Sequence, residues 1–373
     1  MERMKLVTIL GTRPEIIRLS RIIALCERCF EHRLVHTGQN YDYRLSGVFF
    51  EELGIRPPDY YLDCAGENPG RTVGNVIARC YDVLKEERPD AVLVLGDTHS
   101  AMSVYAAGQL HIPIFHMEAG NRCWDRYLSE SRNRELVDRM ADVNLCYTEH
   151  ARQNLQDEGR ERDMLFVVGS PMREVLRYYA PLISQSDVLC RLGLQKKEYI
   201  VVSAHREENV DREETFAQIV ASVNAAAYTY DRPVLFSVHP RTRKWIETRH
   251  TRFDKRVRLL EPFGFPDYVR LQKDSFFVLS DSGTLSEESA IERFPAVLMR
   301  TSTERPEIFD CGGMLLGGIH PDEVLRAVQL LLETGPQDAC EVEAYMPLDV
   351  SRRVVRLIGS YTGVIQRKVW RKP

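Results

Sequence analysis

The chain has 373 residues, 44% of them hydrophobic, and is long enough for two domains with separate cores. Its formal net charge of −4 argues against non-specific nucleic-acid binding. No apolar run approaches the roughly 20 residues that span a bilayer, and "MERMKLVTIL" enters a strand at once rather than forming a signal peptide. We therefore expect a cytoplasmic protein that binds neither nucleic acid nor membranes.

Short apolar runs alternate with segments of helical period along the first half. The runs are "KLVTIL", "AVLVLG", "PIFHMEA", "VNLCYT" and "MLFVVG", and "TVGNVIARCYDVLKEE" is one of the helical segments. This alternation is typical of a parallel sheet buried on both faces. It restarts in the second half with "YIVVSAH", "PVLFSVH", "RLLEP", "SFFVLSD" and "PAVLMR". The predicted fold class is therefore α/β, with two doubly wound Rossmann-like domains in series.

The periodicity also predicts the domain limits. We expect an N-terminal domain over residues 1–175 and a C-terminal, nucleotide-binding domain over residues 190–350. Residues 178–198 have the weakest periodicity and are interpreted as the connection between them. The amphipathic helix at about residues 351–373 would pack back on the N-terminal domain.

Nine scattered cysteines, mostly inside apolar runs, indicate reduced core thiols rather than a disulfide framework. Cys26 and Cys29 form one C-x-x-C on a predicted helix, for which packing is favoured over a zinc or redox role. Asp97, His99, His116 and Glu118 lack the spacing of any metal-binding motif. We predict no metal and no cofactor.

Polar residues follow nearly every predicted strand. The strands run into "GTRPEIIR", "HTGQNYD", "GDTHS", "HMEAGNR" and "VGSPM", and later into "SAHREEN", "VHPRTR" and "SDSGTLSEE". Open parallel sheets bind ligands at the carboxyl ends of their strands. We therefore expect two sheets facing across a cleft that is lined from both sides.

Each motif has a plain and a functional interpretation. In "GTRPE", Arg13 stands at a helix start that suits an anion, although ordinary βα turns look the same. Asp97 is either the N-cap of the next helix or a carboxylate in the cleft. In "SDSGTLSEES", Ser282, Gly283 and Thr284 could form a diphosphate cradle, a helix cap with Glu287 as capping-box partner, or both.

Two further segments concentrate charge. In "SAHREEN", His205 and Arg206 could be a base and an anion clamp, or part of a solvated charge run. The segment "FHMEAGNRCWDRYLSESRNREL" places Glu118 and Glu130 among arginines directly after a β-rich run. Two acids in such surroundings suit acid–base chemistry beside a negatively charged substrate group.

The order of these motifs, from "GTRPE" to "TERPE", resembles that of the non-hydrolysing UDP-N-acetylglucosamine 2-epimerases. The resemblance implies a glycosyltransferase-B-like fold, a UDP-linked N-acetylhexosamine substrate and a homodimer. It also implies a chemistry: UDP is eliminated to leave a glycal and is then added back with the C2 proton on the opposite face.

The resemblance also implies site residues. Asp97, Glu118, Glu130 and His205 match the catalytic positions. The remaining matches and cleft candidates are expected to bind the UDP-sugar: Arg13, Arg18, Arg206, His239, Arg241, Tyr268 against uracil, Ser282, Gly283, Thr284, Glu288 at the ribose and Arg305.

Two departures from the family pattern stand out. Ser129-Glu130-Ser131 replaces Pro-Glu-Glu, and "EAGNR" replaces "EAGLR". With "HTGQNYD" and "SAHREENVD", the pattern is most similar to the branch that converts a UDP-linked 2-acetamido-2,6-dideoxy-L-talose into UDP-N-acetyl-L-fucosamine for surface polysaccharide.

Gln39 matches an allosteric position, but Asp42 replaces a second glutamine. UDP-N-acetylglucosamine epimerisation, a hydrolysing 2-epimerase and a silent nucleotide-sugar-binding homologue stay open as alternatives.

Overall fold

The computed structural model describes residues 3–38, 47–123, 129–335 and 341–372. The chain divides into two compact units, each considered by itself. The first unit comprises Met1–Tyr178 and Glu343–Pro373, and the second comprises Tyr179–Val342. Among the described residues, no helix combines the length and apolar character needed to cross a membrane.

Each unit contains one sheet with all of its strands parallel. The first sheet has the order β3-β2-β1-β4-β5-β6-β7, and the second has the order β10-β9-β8-β11-β12-β13. The strands are β1 (Lys5–Leu10), β2 (Glu31–His36), β3 (Tyr60–Tyr61), β4 (Ala91–Leu95), β5 (Ile114–Met117), β6 (Val143–Cys146), β7 (Leu165–Val167), β8 (Ile200–Ser203), β9 (Val234–Ser237), β10 (Val257–Leu260), β11 (Phe277–Ser280), β12 (Ala296–Leu298) and β13 (Leu315–Leu316).

Helices connect successive strands. They are α1 (Arg13–Cys29), α2 (Gly47–Glu52), α3 (Pro69–Glu87), α4 (Val104–Gln109), α5 (Ser129–Met140), α6 (Glu149–Asp157), α7 (Met172–Gln185), α8 (Val188–Leu192), α9 (Glu207–Val210), α10 (Glu213–Tyr230), α11 (Pro240–Thr248), α12 (Phe265–Asp274), α13 (Leu285–Glu292), α14 (Pro306–Asp310), α15 (Pro321–Thr334) and α16 (Val350–Lys368). Short 3₁₀ turns lie at His99–Ser103, Arg162–Met164 and Glu343–Tyr345. Two doubly wound α/β units confirm the predicted fold class.

The apolar runs became strands because both faces of each sheet are covered. Every residue of β4 is buried, and in the first unit Val92 and Val94 join a core with Val76 and Cys80 of α3. In the second unit, Ile200 and Phe277 pack with Phe216 of α10 in a second core. A strand buried on both faces must be apolar throughout, which is the pattern that the sequence shows.

Much of the predicted connection at residues 178–198 is helical, and the chain passes from the first unit to the second within it, between Tyr178 and Tyr179. Helix α7 runs to Gln185 through Pro181, and α8 follows after two residues. Tyr179 and Ile183, four residues apart, are both buried. Their shared packing outweighs the helical hydrogen bond that proline lacks.

The cysteine prediction needs one correction. Seven cysteines are free thiols, five of them buried, but Cys311 is disulfide-bonded. Cys340 lies outside the described residues. A disulfide requires two Cα atoms roughly 4.4–6.8 Å apart, a proximity that spacing along the sequence does not reveal.

Candidate active site

Two of the predicted acids lie at the ends of adjacent strands of the first sheet. Asp97 follows β4, and Glu118 follows β5 directly. Because β4 and β5 are paired in parallel, the two residues leave the same edge of the sheet. Glu130 lies in the first turn of α5 and is partly exposed.

Arg134 of α5 connects the acids of the two strands. Its Nη2 atom donates to Asp97 Oδ2 over 2.6 Å and to Glu118 Oε1 over 3.2 Å. Its Nη1 atom donates to the Glu118 carbonyl oxygen over 2.6 Å. Arg18 of α1 donates to the other carboxylate oxygen of Glu118. Arg18, Arg134 and Glu118 are buried, so their charges require this pairing.

The interpretation of Asp97 as a helix N-cap is wrong. The N-cap of the following 3₁₀ turn is Thr98, and the Asp97 carboxylate pairs with Arg134 instead. The main-chain oxygen of Asp97 also accepts a hydrogen bond of 3.1 Å from Asn133 Nδ2. Helix α5 therefore holds Asp97 through two neighbouring side chains.

The turn that carries Glu118 is anchored by a buried carboxylate, Asp138 of α5. Its oxygens accept from the main-chain nitrogen of Gly120, from Arg122 Nη1 and from the ring of His116. Burial alone would raise the pKa of Asp138, but His116 and Arg122 outweigh it and hold the pKa below its ordinary value. Glu118 itself has φ of 61°, a conformation that such anchoring must maintain.

His116 has a structural role. One ring nitrogen contacts Asp138 and the other contacts the Gly96 carbonyl oxygen at 2.8 Å, so neither is directed at a metal. Within the described ranges, no group of three or more His, Cys, Asp or Glu residues could hold a metal ion. Cys26 is buried and Cys29 is exposed, which fits helix packing rather than shared metal binding.

The turn between β1 and α1 is organised by Glu15. This buried carboxylate accepts from the Gly11 main-chain nitrogen over 3.1 Å and from the Thr12 hydroxyl over 2.7 Å. It also accepts from Ser100, which follows β4. Burial raises the pKa of Glu15 to about 7, although these hydrogen bonds oppose the rise. Arg13 begins α1, and its guanidinium lies 5.7 Å from the centre of the Phe49 ring.

A second group of predicted residues surrounds Asp281 in the second unit. This fully buried carboxylate follows β11 and accepts from the main-chain nitrogens of His205 and Arg206, both over 3.0 Å. Asn209 Nδ2 donates to it as well, also over 3.0 Å. The ring of His205 has its Nδ1 atom 3.4 Å from Asp281, and its centre is 5.8 Å from that of His239. Asp281 thus fixes the segment after β8.

The segment Ser282–Thr284 forms a compact turn rather than a capping box. The Ser282 hydroxyl accepts from the Thr284 main-chain nitrogen over 3.4 Å, and the Thr284 side chain makes no cap hydrogen bond. Glu287, the predicted capping-box partner, pairs with Arg305 over 3.0 Å. A Cβ atom on Gly283 would lie 2.5 Å from Glu304 Oε1, so a larger residue here would have to displace the Glu304 side chain.

Other nucleotide candidates lie in the same unit. Glu288 accepts from Gln272 Nε2 over 2.7 Å, and Tyr268 is partly buried on α12. His239 caps α11 by accepting from the main-chain nitrogen of Arg241 over 3.3 Å. Arg241 pairs with the exposed Glu207 over 2.6 Å, so part of the "HREE" segment is a solvated ion pair.

The sequence interpretation missed four residues that organise these groups: Glu15, Arg134, Asp138 and Asp281. Arg134 stands four residues after Glu130 on one helix, and Asp281 directly follows an apolar strand run. These sequence positions could have suggested that Arg134 and Asp281 belong to the site. The sequence could not have suggested their partners, because residues such as Arg134 and Asp97 are 37 residues apart in the chain. The possible allosteric positions Gln39 and Asp42 lie outside the described residues.

Comparison with known proteins decides the family. Residues 24–359 match the family model described as UDP-N-acetylglucosamine 2-epimerase. The chain belongs to this family of isomerases. A solved UDP-N-acetylglucosamine 2-epimerase from Rickettsia bellii is 40% identical, has a TM-score of 0.91 and is covered over 100% of both chains.

Two other relatives extend this family comparison. The structure of the Methanocaldococcus jannaschii epimerase in complex with UDP-GlcNAc and UDP is 32% identical, with a TM-score of 0.89 over 95% of this chain and 99% of that one. The UDP-2,3-diacetamido-2,3-dideoxy-D-glucuronate 2-epimerase of Pseudomonas aeruginosa is 34% identical over 341 residues, 90% of this chain and 94% of the relative. Both relatives therefore align with nearly the whole chain.

Proposed function

We propose that the protein is a non-hydrolysing 2-epimerase of UDP-linked N-acetylhexosamines. The observation that carries this proposal is the buried cluster in which Arg134 and Arg18 hold Asp97 and Glu118 at one edge of the first sheet. The proton on the acetamido-bearing C2 is only weakly acidic because no carbonyl is adjacent to it. Acid–base groups fixed around C2 therefore have to act together with departure of the diphosphate.

The proposed reaction has two halves. A carboxylate removes the C2 proton while the bond between C1 and the diphosphate oxygen breaks, which leaves UDP and a glycal with a C1–C2 double bond. An acid on the opposite face then returns a proton to C2, and UDP adds back to C1. We assign the acid–base roles to Asp97, Glu118 and Glu130 as a group, with His205 beside the diphosphate.

The nucleotide residues are proposed on chemical grounds. The turn at Ser282–Thr284 offers main-chain amides and hydroxyls to a diphosphate, and Arg206 lies beside Gly283. Arg13 and Arg18 add positive charge at the start of α1. Tyr268 is proposed at uracil, Glu288 at the ribose, and Arg305 within the same pocket, while His239 and Arg241 complete the binding set.

We propose a UDP-linked 2-acetamido-2,6-dideoxy-L-talose as the substrate and UDP-N-acetyl-L-fucosamine as the product. The motifs "HTGQNYD", "FHMEAGNRC" and "SAHREENVD" support this choice. UDP-N-acetylglucosamine is the second candidate, because relatives spanning most of the chain carry its name. We further propose a cytoplasmic homodimer that serves surface-polysaccharide synthesis, and light scattering of the purified protein tests the oligomeric state.

Incubation in deuterated water tests the reaction. Purified protein is mixed separately with the L-talo sugar nucleotide and with UDP-N-acetylglucosamine, and C2 is followed by proton NMR. Deuterium at C2 in two intact UDP-sugars is the expected result, and the substrate that exchanges faster identifies the sugar. Accumulation of free UDP and free sugar would establish a hydrolysing enzyme, and binding without exchange would contradict the proposal.

Two substitutions test the assigned roles. We expect Glu118→Gln to lower turnover at least 100-fold, on the order of the loss of one acid–base group, and His205→Ala to do the same. UDP binding, measured by calorimetry, should remain in both variants because the nucleotide is held by other groups. Near-normal turnover in either variant would remove that residue from the mechanism.

A further inference from the structure

Asn121 carries a buried polar side chain whose amide is unpaired within the described part of the chain. Asn121 follows the turn Glu118–Gly120 and is 5% exposed. Its Nδ2 atom has no hydrogen-bond partner among the residues that the structure describes. An amide hydrogen that is buried without an acceptor costs stability, so folded proteins rarely retain one without a reason.

The unpaired amide is not explained by a loose segment. The Asn121 carbonyl oxygen accepts from Arg122 Nη1 over 3.0 Å. The preceding residue, Gly120, is held by Asp138 at its nitrogen and by Asn154 at its oxygen, the latter over 2.9 Å. Glu118 is fixed by Arg134 at both its main chain and its carboxylate. The backbone at Asn121 is therefore well anchored. The Asn121 carboxamide follows the proposed acid Glu118 by three residues in the chain.

We propose that Asn121 is a specificity-determining residue that donates a hydrogen bond to the carbonyl oxygen of the substrate's 2-acetamido group. This inference rests on the proposed function. An N–H donor needs an acceptor, and the acetamido carbonyl is the strongest neutral acceptor on the sugar. The acetamido group is attached to C2, the carbon at which Glu118, three residues earlier, is proposed to act. A hydrogen-bonding site of this kind rejects analogues that leave its buried donor unpaired.

Binding measurements test Asn121 without relying on turnover. Dissociation constants for UDP, UDP-glucose and UDP-N-acetylglucosamine are measured with the full-length protein; the two sugars differ only at C2. Wild type should prefer the N-acetylated sugar, and Asn121→Leu should reduce that preference about tenfold while leaving the affinity for UDP unchanged. Asn75→Leu is the matched control, because the Asn75 amide already donates to the Cys64 carbonyl oxygen.

A substrate variant covers the case in which Asn121→Leu does not fold. The UDP-sugar with a trifluoroacetamido group has nearly the same shape but a weaker carbonyl acceptor, and wild type should bind it several-fold more weakly than the parent compound. Equal affinity for the two, or an unchanged preference in Asn121→Leu, would overturn the Asn121 inference alone. Failure of wild type to bind any UDP-sugar would overturn the proposed function with it.

Discussion

Arg134 holds the acids Asp97 and Glu118 in place with a guanidinium geometry that lysine lacks. One guanidinium contacts Asp97, the Glu118 carboxylate and the Glu118 main chain together. A lysine carries the same charge on a single point and does not provide this planar fork. Removing the fork should therefore release at least one acid from its place.

We predict that Arg134→Lys lowers the rate of C2 deuterium exchange about 100-fold, because small misplacements of catalytic groups have effects of this size. UDP affinity should change little. Arg132→Lys is the matched control, since Arg132 is exposed on the same helix. An exchange rate in Arg134→Lys within a few-fold of that in the control would show that the fork is dispensable.

Glu15 gives the protein a pH-dependent stability of predictable sign. Burial raises the pKa of this carboxyl from its ordinary value of 4.5 to about 7 in the folded protein. As pH increases through this interval, the unfolded chain loses its proton first, so folding becomes less favourable. The contribution is absent below about pH 4.5 and reaches on the order of 3 kcal/mol of destabilisation above pH 7.

Replacing Glu15 with glutamine should remove this dependence. We expect the free energy of unfolding of wild type to fall relative to that of Glu15→Gln between about pH 5 and pH 8, whatever constant difference the lost hydrogen bonds cause. Urea denaturation of both proteins at each pH measures the difference. The exposed Glu86→Gln provides the control. Parallel curves for Glu15→Gln and wild type would show that Glu15 does not titrate in this range.

At the scale of elements, the turn between β5 and Asn121 is constrained by its neighbour α6. Gly120 has φ of 80°, and a Cβ atom there would lie 2.2 Å from the Ala151 carbonyl oxygen. Both the conformation and the space therefore demand glycine. Gly74, in contrast, is an exposed glycine within α3, and a Cβ atom added to it would meet none of the described atoms within 4 Å.

These two glycines should respond to the same substitution with opposite signs. Gly120→Ala should destabilise the protein by more than about 2 kcal/mol through strain and collision. Gly74→Ala should stabilise it by roughly 0.5–1 kcal/mol, because alanine favours the helix. Thermal and urea denaturation measure both. A tolerated Gly120→Ala would mean that the turn carrying Glu118 can rearrange.

At the scale of the whole molecule, the proposed nucleotide site and the acid group belong to different units of the chain. Ser282–Thr284 lie in the second unit, whereas Asp97, Glu118 and Glu130 lie in the first. Stabilisation by UDP should therefore depend on the second unit's cradle and not on the acids. UDP at about 100 times its dissociation constant adds roughly 2.7 kcal/mol of stability to any protein that binds it only when folded.

We predict that Glu118→Gln keeps the full UDP-induced increase in melting temperature and that Gly283→Ala loses most of it. The added methyl group would displace Glu304 and approach Arg206 Nη2 to 3.3 Å. Gly193→Ala is the control, because it introduces a side chain at φ of 64° into open space away from the cradle. A full increase in Gly283→Ala would place the diphosphate elsewhere.

The sequence by itself determined the fold class, the positions of most strands and the family. Continuous apolar runs such as "AVLVL" are typical of strands in a sheet covered on both faces, and turn motifs such as "GTRPE" depend mainly on adjacent residues. The two-residue strands β3 and β13 carried no such signal because they are too short to show one. Helix α7 contains Pro181, a residue that usually ends a helix, although its buried residues Tyr179 and Ile183 keep helical spacing.

Only the tertiary structure decided which partner each polar side chain takes. Asp97 pairs with Arg134, Glu287 with Arg305 and His116 with Asp138. Local spacing offered Asp97 as an N-cap and Glu287 as a capping-box partner, whereas the observed ion pairs of both are with residues distant in the sequence. Buried charges and amides must find partners wherever the strand order brings them, and that proximity arises only when the sheets assemble.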